Sequence, residues 1–103
     1  MIPSLRGWHE RYFEEGLVVI GVHYPEFTHE ADLTNLKEAI VRLDVPYAVA
    51  QDNEGHTWSA YEVRYWPTLF LIDKEGRVRY QHIGEGRYDE IEEMIGILLE
   101  ETF

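Results

Sequence analysis

Apolar residues in this chain recur at two rhythms, one of three and four residues and one of two or fewer, and the alternation between them predicts the elements. Leu5, Trp8, Tyr12 and Phe13 form a helical stripe within residues 3–15, with Pro3 suited to a first turn where its missing N–H costs little. Gly16 ends that helix. The run Leu17 to His23, LVVIGVH, is continuous, apolar and β-branched, which suits a strand covered on both faces in a parallel sheet and closed by Pro25. Leu33, Leu36, Ile40 and Leu43 then mark a second amphipathic helix, with Thr28 as a candidate N-cap and Pro46 as its limit.

Tyr47 to Ala50 is a short strand candidate, and Asp52-Asn53 reads as a turn or cap. Over His56 to Val63, Trp58 and Tyr61 share a helical face with Tyr65 beyond, a spacing that predicts packing onto the sheet. The stretch RYWPTLFLID, residues 64–73, places Pro67 directly before a buried strand, Thr68 to Ile72. Proline cannot donate to a ladder, so Pro67 should mark the strand's first position, and the preceding Trp66 is compatible with a cis peptide bond. Asp73 to Gly76 has the form of a tight hairpin loop, after which Val78, Tyr80 and His82 alternate with Arg77, Arg79 and Gln81. Ile91, Met94, Ile95, Leu98 and Leu99 give a final helix over about residues 88–101. Helices between strands imply parallel pairing with right-handed crossovers, and the hairpin adds an antiparallel edge. The class is a mixed α/β sandwich, with residues 1–103 as one domain without repeat or linker.

Composition narrows the function. No stretch approaches the roughly 18 to 20 apolar residues of a membrane span, and no signal pattern opens the sequence, so a soluble, untargeted chain is expected. A formal net charge of -11 repels phosphate backbones and argues against nucleic acid as a partner, and the acids are dispersed as on a solvated surface. The chain has no cysteine, which removes disulfides, thiolate metal sites, cysteine nucleophiles and dithiol chemistry from these residues. His9, His23, His29, His56 and His82 form no recognised metal spacing, and His23 and His82 read as hydrogen-bonded structural histidines. Gly84-Glu85-Gly86 lacks the pattern of a phosphate loop and reads as a turn. No metal or cofactor is expected, and no hydrolase constellation can be assembled.

Several segments together carry a more specific signal: VIGVHYPEF (19–27), Asp52-Asn53, WSAY (58–61), YWP (65–67), LID (71–73), Gly76-Arg77 and Gly84-Glu85-Gly86. They closely resemble the thioredoxin-like domains of the TlpA and DipZ type, a redoxin family of thiol–disulfide oxidoreductases, over residues 3–99. The resemblance implies a thioredoxin-like sandwich, a mixed sheet flanked by helices. Pro67 would correspond to the cis-proline beside the redox dithiol, where the neighbouring backbone helps hold a partner peptide. It further implies a substrate groove lined by Trp66, Pro67 and Glu26, with Glu26 assisting proton transfer in a complete relative. Against this stand the plainer readings of an aromatic packed on a strand-initiating proline and a solvent-facing loop acid. Substrates would be protein disulfides or dithiols, and relatives of this type usually act outside the cytoplasm, periplasmic or membrane-tethered.

The departure from the family is equally specific. Relatives begin with a central strand that ends in Cys-x-x-Cys, where the first thiolate attacks a disulfide and the second resolves the mixed intermediate. Met1 falls just after that point, so a fold truncated at its N-terminal central strand is expected, with no catalytic residue in the chain. The strands at residues 17–23 and 68–72 would then each present an unpaired edge, at about 1 to 3 kcal/mol for each buried unpaired group. Three explanations are open: a start assigned downstream of the true one, an intentionally shortened chain, or a natural fragment whose sheet is closed by repacking or by a partner strand. The expected function is a redox-inactive remainder of a longer oxidoreductase. The alternative is a noncatalytic binding or assembly module, with a homodimer through the open sheet edge.

Overall fold

The computed structural model describes residues 1–25 and 28–102, residues 28 and 29 by their backbone alone. Helix α1 spans Ile2–Tyr12, with a proline in its first turn, and passes into a 3-10 turn at Phe13–Glu15 that Gly16 ends at a φ of 110°. Strand β1 (Ile20–His23) leads through a 3-10 turn, Thr28–Ala31, to α2 (Leu33–Arg42). The N-cap of α2 is Asp32 rather than Thr28, its Oδ1 accepting from Thr34 N at 2.7 Å and Asn35 N at 3.3 Å. Carboxylate capping satisfies two of the helix's orphan donors, and the extra 3-10 turn accounts for the displaced start. Strand β2 (Ala48–Gln51), the short helix α3 (His56–Ala60), the hairpin β3 (Thr68–Ile72) and β4 (Val78–Ile83), and α4 (Tyr88–Glu100) complete the order.

The strands form two separate pairs. β1 runs parallel to β2, with Ile20 beside Ala48 and Val22 beside Ala50, while β3 runs antiparallel to β4, with Leu69 opposite His82 and Leu71 opposite Tyr80. No ladder joins the pairs among the described residues, so β1 and β3 each have one edge without a strand partner. This is the interrupted sheet that the resemblance implies.

The main core lies on the β3–β4 pair. Leu69 and Leu71 of β3 pack with Trp8 of α1 and with Ile91, Ile95 and Leu98 of α4, and Ile91 is fully buried. Burying a side chain of this size contributes about 1.5 to 3 kcal/mol, which explains why the α4 stripe keeps its phase. Glu92 locks the two helices together at the rim: its carboxylate accepts from the Trp8 indole N–H at 2.9 Å, from Arg11 at 2.9 Å and from the Tyr12 hydroxyl at 2.7 Å. The hairpin is tied to the end of α4 in a similar way. Asp73 accepts from Glu75 N, Arg77 N and Arg79, Arg79 forks onto Glu101, and Lys74 donates to the carbonyls of Leu99 and Glu101.

Several apolar positions depart from their predicted burial. The β1 strand is not covered on both faces: Ile20 is 62 % and Val22 48 % exposed, and their neighbours Ala48 and Ala50 are exposed on the same face. On the other face, His23 lines one cavity with Leu36 and Ala39 of α2. Phe13, Leu33 and Leu43 are also exposed, each at or beyond a helix end where the predicted stripe outruns the surface available to cover it. Helix α3 ends at Ala60, three residues short of its expected limit, because Glu62 takes a left-handed φ of 56° and turns the chain towards β3.

Candidate functional site

The Trp66–Pro67 peptide bond is cis, and Pro67 stands immediately before the first ladder residue of β3. Its carbonyl accepts from Gly84 N at 2.8 Å, continuing the hairpin pairing beyond Ile83. Thr68 Oγ1 donates back to Tyr65 O at 2.7 Å, so the residues on either side of the junction are held by side-chain and main-chain bonds.

Three rings surround the junction. Tyr24, which follows β1, stacks nearly parallel to Trp66 at 6.1 Å and 9°, while Trp58 from α3 lies 4.7 Å from Tyr24 and 4.4 Å from Trp66 between ring centroids. The Trp66 indole N–H donates to the Tyr24 carbonyl at 3.2 Å, linking the segment after β1 to the segment before β3. Trp58 is placed by Asp52, whose carboxylate accepts from Thr57 N at 3.1 Å and Trp58 N at 2.8 Å. Burial raises the Asp52 carboxyl, but the backbone donors of Trp58 and Thr57 outweigh it and hold the group below the ordinary aspartate range. Asp52 N in turn donates to His23 O at 2.8 Å, fastening α3 to the end of β1.

Of the residues that the sequence singles out, Trp66 and Pro67 are adjacent and half-exposed to exposed at one end of the β3–β4 pair, and Glu26 lies outside the described residues. The expected packing of the aromatic face divides. Trp58 joins the ring cluster and Tyr61 lies 5.0 Å from Phe70, but Tyr65 is 62 % exposed because the chain turns outward after Glu62. His23 and His82 donate through Nε2 to the carbonyls of Glu30 and Glu85, in keeping with structural histidines. Residue spacing does not bring Tyr24 into the site; its signal is its place directly after a strand and before a proline.

The geometry offers a partly exposed aromatic and main-chain surface but no thiol nucleophile, because the chain contains no cysteine. The AhpC/TSA family matches residues 1–81. The chain belongs to this family. Protein DipZ of Mycobacterium bovis is 41 % identical over 101 residues, which are 98 % of this chain and 14 % of that protein, so the chain spans about one seventh of the relative it matches. The fold is thioredoxin-like. The crystal structure of a thiol-disulfide isomerase from Corynebacterium glutamicum superimposes with a TM-score of 0.88 at 28 % identity, covering 98 % of this chain and 70 % of that one. An exposed lipoprotein thioredoxin from Streptococcus pneumoniae gives a TM-score of 0.75 at 28 % identity, covering 93 % and 71 %. Within the AhpC/TSA family, this chain is a cysteine-free, thioredoxin-like member with a cis Trp66–Pro67 bond.

Proposed function

We propose that this chain forms the peptide-holding wall of a thiol–disulfide oxidoreductase, with the reactive thiols supplied from outside its 103 residues. The carrying observation is the ordered Tyr65–Trp66–Pro67 segment, held by Gly84, Thr68 and Tyr24 in an AhpC/TSA-family fold that lacks any cysteine. Trp66 and Pro67 would line the groove and Glu26 would border it. The partner is a protein disulfide or dithiol segment in extended form, since an extended chain offers unpaired N–H and C=O groups to an exposed backbone. The exposed lipoprotein among the structural neighbours supports a site of action outside the cytoplasm.

Two measurements test this. The chain alone should show no dithiol turnover against a protein disulfide, and sustained turnover by these residues would overturn the proposal. A blocked heptapeptide of alternating valine and threonine with one central cysteine should shift the amide resonances of residues 65–68 and 84 in an NMR titration. Shifts confined to other surfaces would refute the groove.

A second reading rests on a different observation, the unpartnered edges of β1 and β3 beside the exposed Ile20 and Val22. A second copy of the chain covering them would make the protein an assembly module. In that case sedimentation would show concentration-dependent association, abolished by the double change Ile20→Lys and Val22→Lys. A monomer at all concentrations removes this reading.

A further inference from the structure

The ring cluster does more than fill space, because its members come from the segment after β1, from α3 and from the segment before β3, and they meet at the end where Pro67 sits. Tyr24 is the first residue after β1, Trp66 stands two residues before β3, and no strand ladder joins β1 to β3 among the described residues. The Trp66 N–H bond to Tyr24 O and the parallel stacking of the two rings therefore bridge the interruption. Behind Tyr24 lies Gly55, buried and at a φ of 74°, where a Cβ would fall 3.0 Å from Tyr24 Cε1 and 3.3 Å from Cζ. Any larger residue would force the Tyr24 ring to shift and strain the backbone as well.

We infer that Tyr24, seated on Gly55, is a positioning residue that sets the Tyr65–Trp66–Pro67 backbone for an extended peptide. The inference rests on the peptide-holding reading above. Three features support it together: the ring occupies a slot that only glycine leaves open, it stacks on Trp66 rather than projecting into solvent, and its own carbonyl takes the indole proton. Gly55 is buried and offers a peptide no surface of its own. Its effect on binding passes through the Tyr24 ring and Trp66.

That separation supplies the test. The same cysteine-containing heptapeptide is titrated into the full chain and into Tyr24→Phe, Gly55→Ala and Trp66→Phe variants, with peptide affinity read by NMR shifts and ring stacking by near-ultraviolet circular dichroism. Tyr24→Phe keeps both ring and carbonyl and should bind as the parent does. Trp66→Phe loses only the N–H bridge and one ring, and Gly55→Ala displaces Tyr24; each should weaken binding by about two- to tenfold, the range of one net hydrogen bond, and alter the aromatic signal. If Gly55→Ala fails to fold, Tyr24→Ala carries the comparison: it removes the stacked ring, keeps the carbonyl and leaves the groove residues in place, and it should weaken binding by the same factor. A parent chain that binds, with Trp66→Phe and Gly55→Ala unchanged in affinity, overturns the positioning role and leaves the groove standing. A parent chain that takes up no peptide overturns both.

Discussion

Replacing Glu92 by alanine should destabilise the protein chiefly through a residue it does not remove. Glu92 Oε1 takes the indole proton of Trp8 at 2.9 Å, and Trp8 is only 2 % exposed in the core between α1 and β3. In the alanine variant that buried N–H has no acceptor, at about 1 to 3 kcal/mol. Arg11 and the Tyr12 hydroxyl, the other two donors, lie nearer solvent and can turn to water. With about 2 kcal/mol lost from a domain of this size, the unfolding midpoint should fall by roughly 10 °C. Thermal and urea unfolding followed by Trp fluorescence measure the change. Glu92→Gln keeps an oxygen for Trp8 and should lose less than about 1 kcal/mol, since one neutral hydrogen bond replaces a charged one. The reasoning fails if Glu92→Ala lies within about 0.5 kcal/mol of the parent, the range of a surface substitution away from any such feature. It also fails if the glutamine and alanine variants are equally unstable. Repeating Glu92→Ala in a Trp8→Phe background, where no indole N–H remains, should cost distinctly less.

Acid should expose the same clamp. Hydrogen bonding from Tyr12, opposed by burial and joined by Trp8 and Arg11, holds the Glu92 carboxyl below the ordinary glutamate value of 4.5. A depressed folded-state value stabilises the protein above the unfolded value and is lost as pH falls through the folded one, so stability should decline below about 4.5 and Glu92→Gln should flatten part of that decline in a pH series of urea melts. Asp73, lowered by the N–H of Arg77 against the opposing effect of burial, should add to the same acid limb, and its removal with Asp73→Asn should speed exchange of the Glu75 and Arg77 amides. Asp52→Ala should free the Thr57 and Trp58 amides and weaken the near-ultraviolet signal of the Trp58–Trp66 pair, read by hydrogen exchange and circular dichroism; unchanged protection at both amides would contradict the capping role. Arg79→Met should loosen the hairpin at the end of α4, where Lys74 still holds it, seen as faster exchange in residues 74–79 with little change in the core amides around Ile91.

Much of the architecture is legible in the order of residues. The α4 stripe of Ile91, Ile95 and Leu98 is buried as its spacing requires, and the hairpin turns at Asp73 to Gly76 where the polar, glycine-ended loop places it. Pro67 stands before the ladder, where a residue without an N–H belongs. Less legible were the short-range details that depend on competing caps: Asp32 displaced Thr28 as the cap of α2, and Glu62 ended α3 early. The first turns on side-chain bonds to backbone amides and the second on a single residue's backbone angle, neither of which periodicity encodes.

The candidate site divides along the same line. Trp66 and Pro67 declare themselves by adjacency, whereas Tyr24 and Gly55 join them across 42 residues and from a third segment.

By itself, then, the sequence determined the elements, their order, the place of Pro67 and the absence of any thiol chemistry in these residues, because local periodicity, proline geometry and composition are properties of neighbouring positions. Only the tertiary structure decided which apolar faces are covered. Ile20 and Val22 have the same character as Leu69 and Leu71, yet the first pair faces outward and the second is buried beneath α1 and α4. Likewise only the folded chain revealed that Glu92 receives three donors and that the Tyr24 carbonyl meets the Trp66 indole. Burial and long-range hydrogen bonds depend on which distant segments meet, and that is a property of the whole arrangement rather than of any window along the chain.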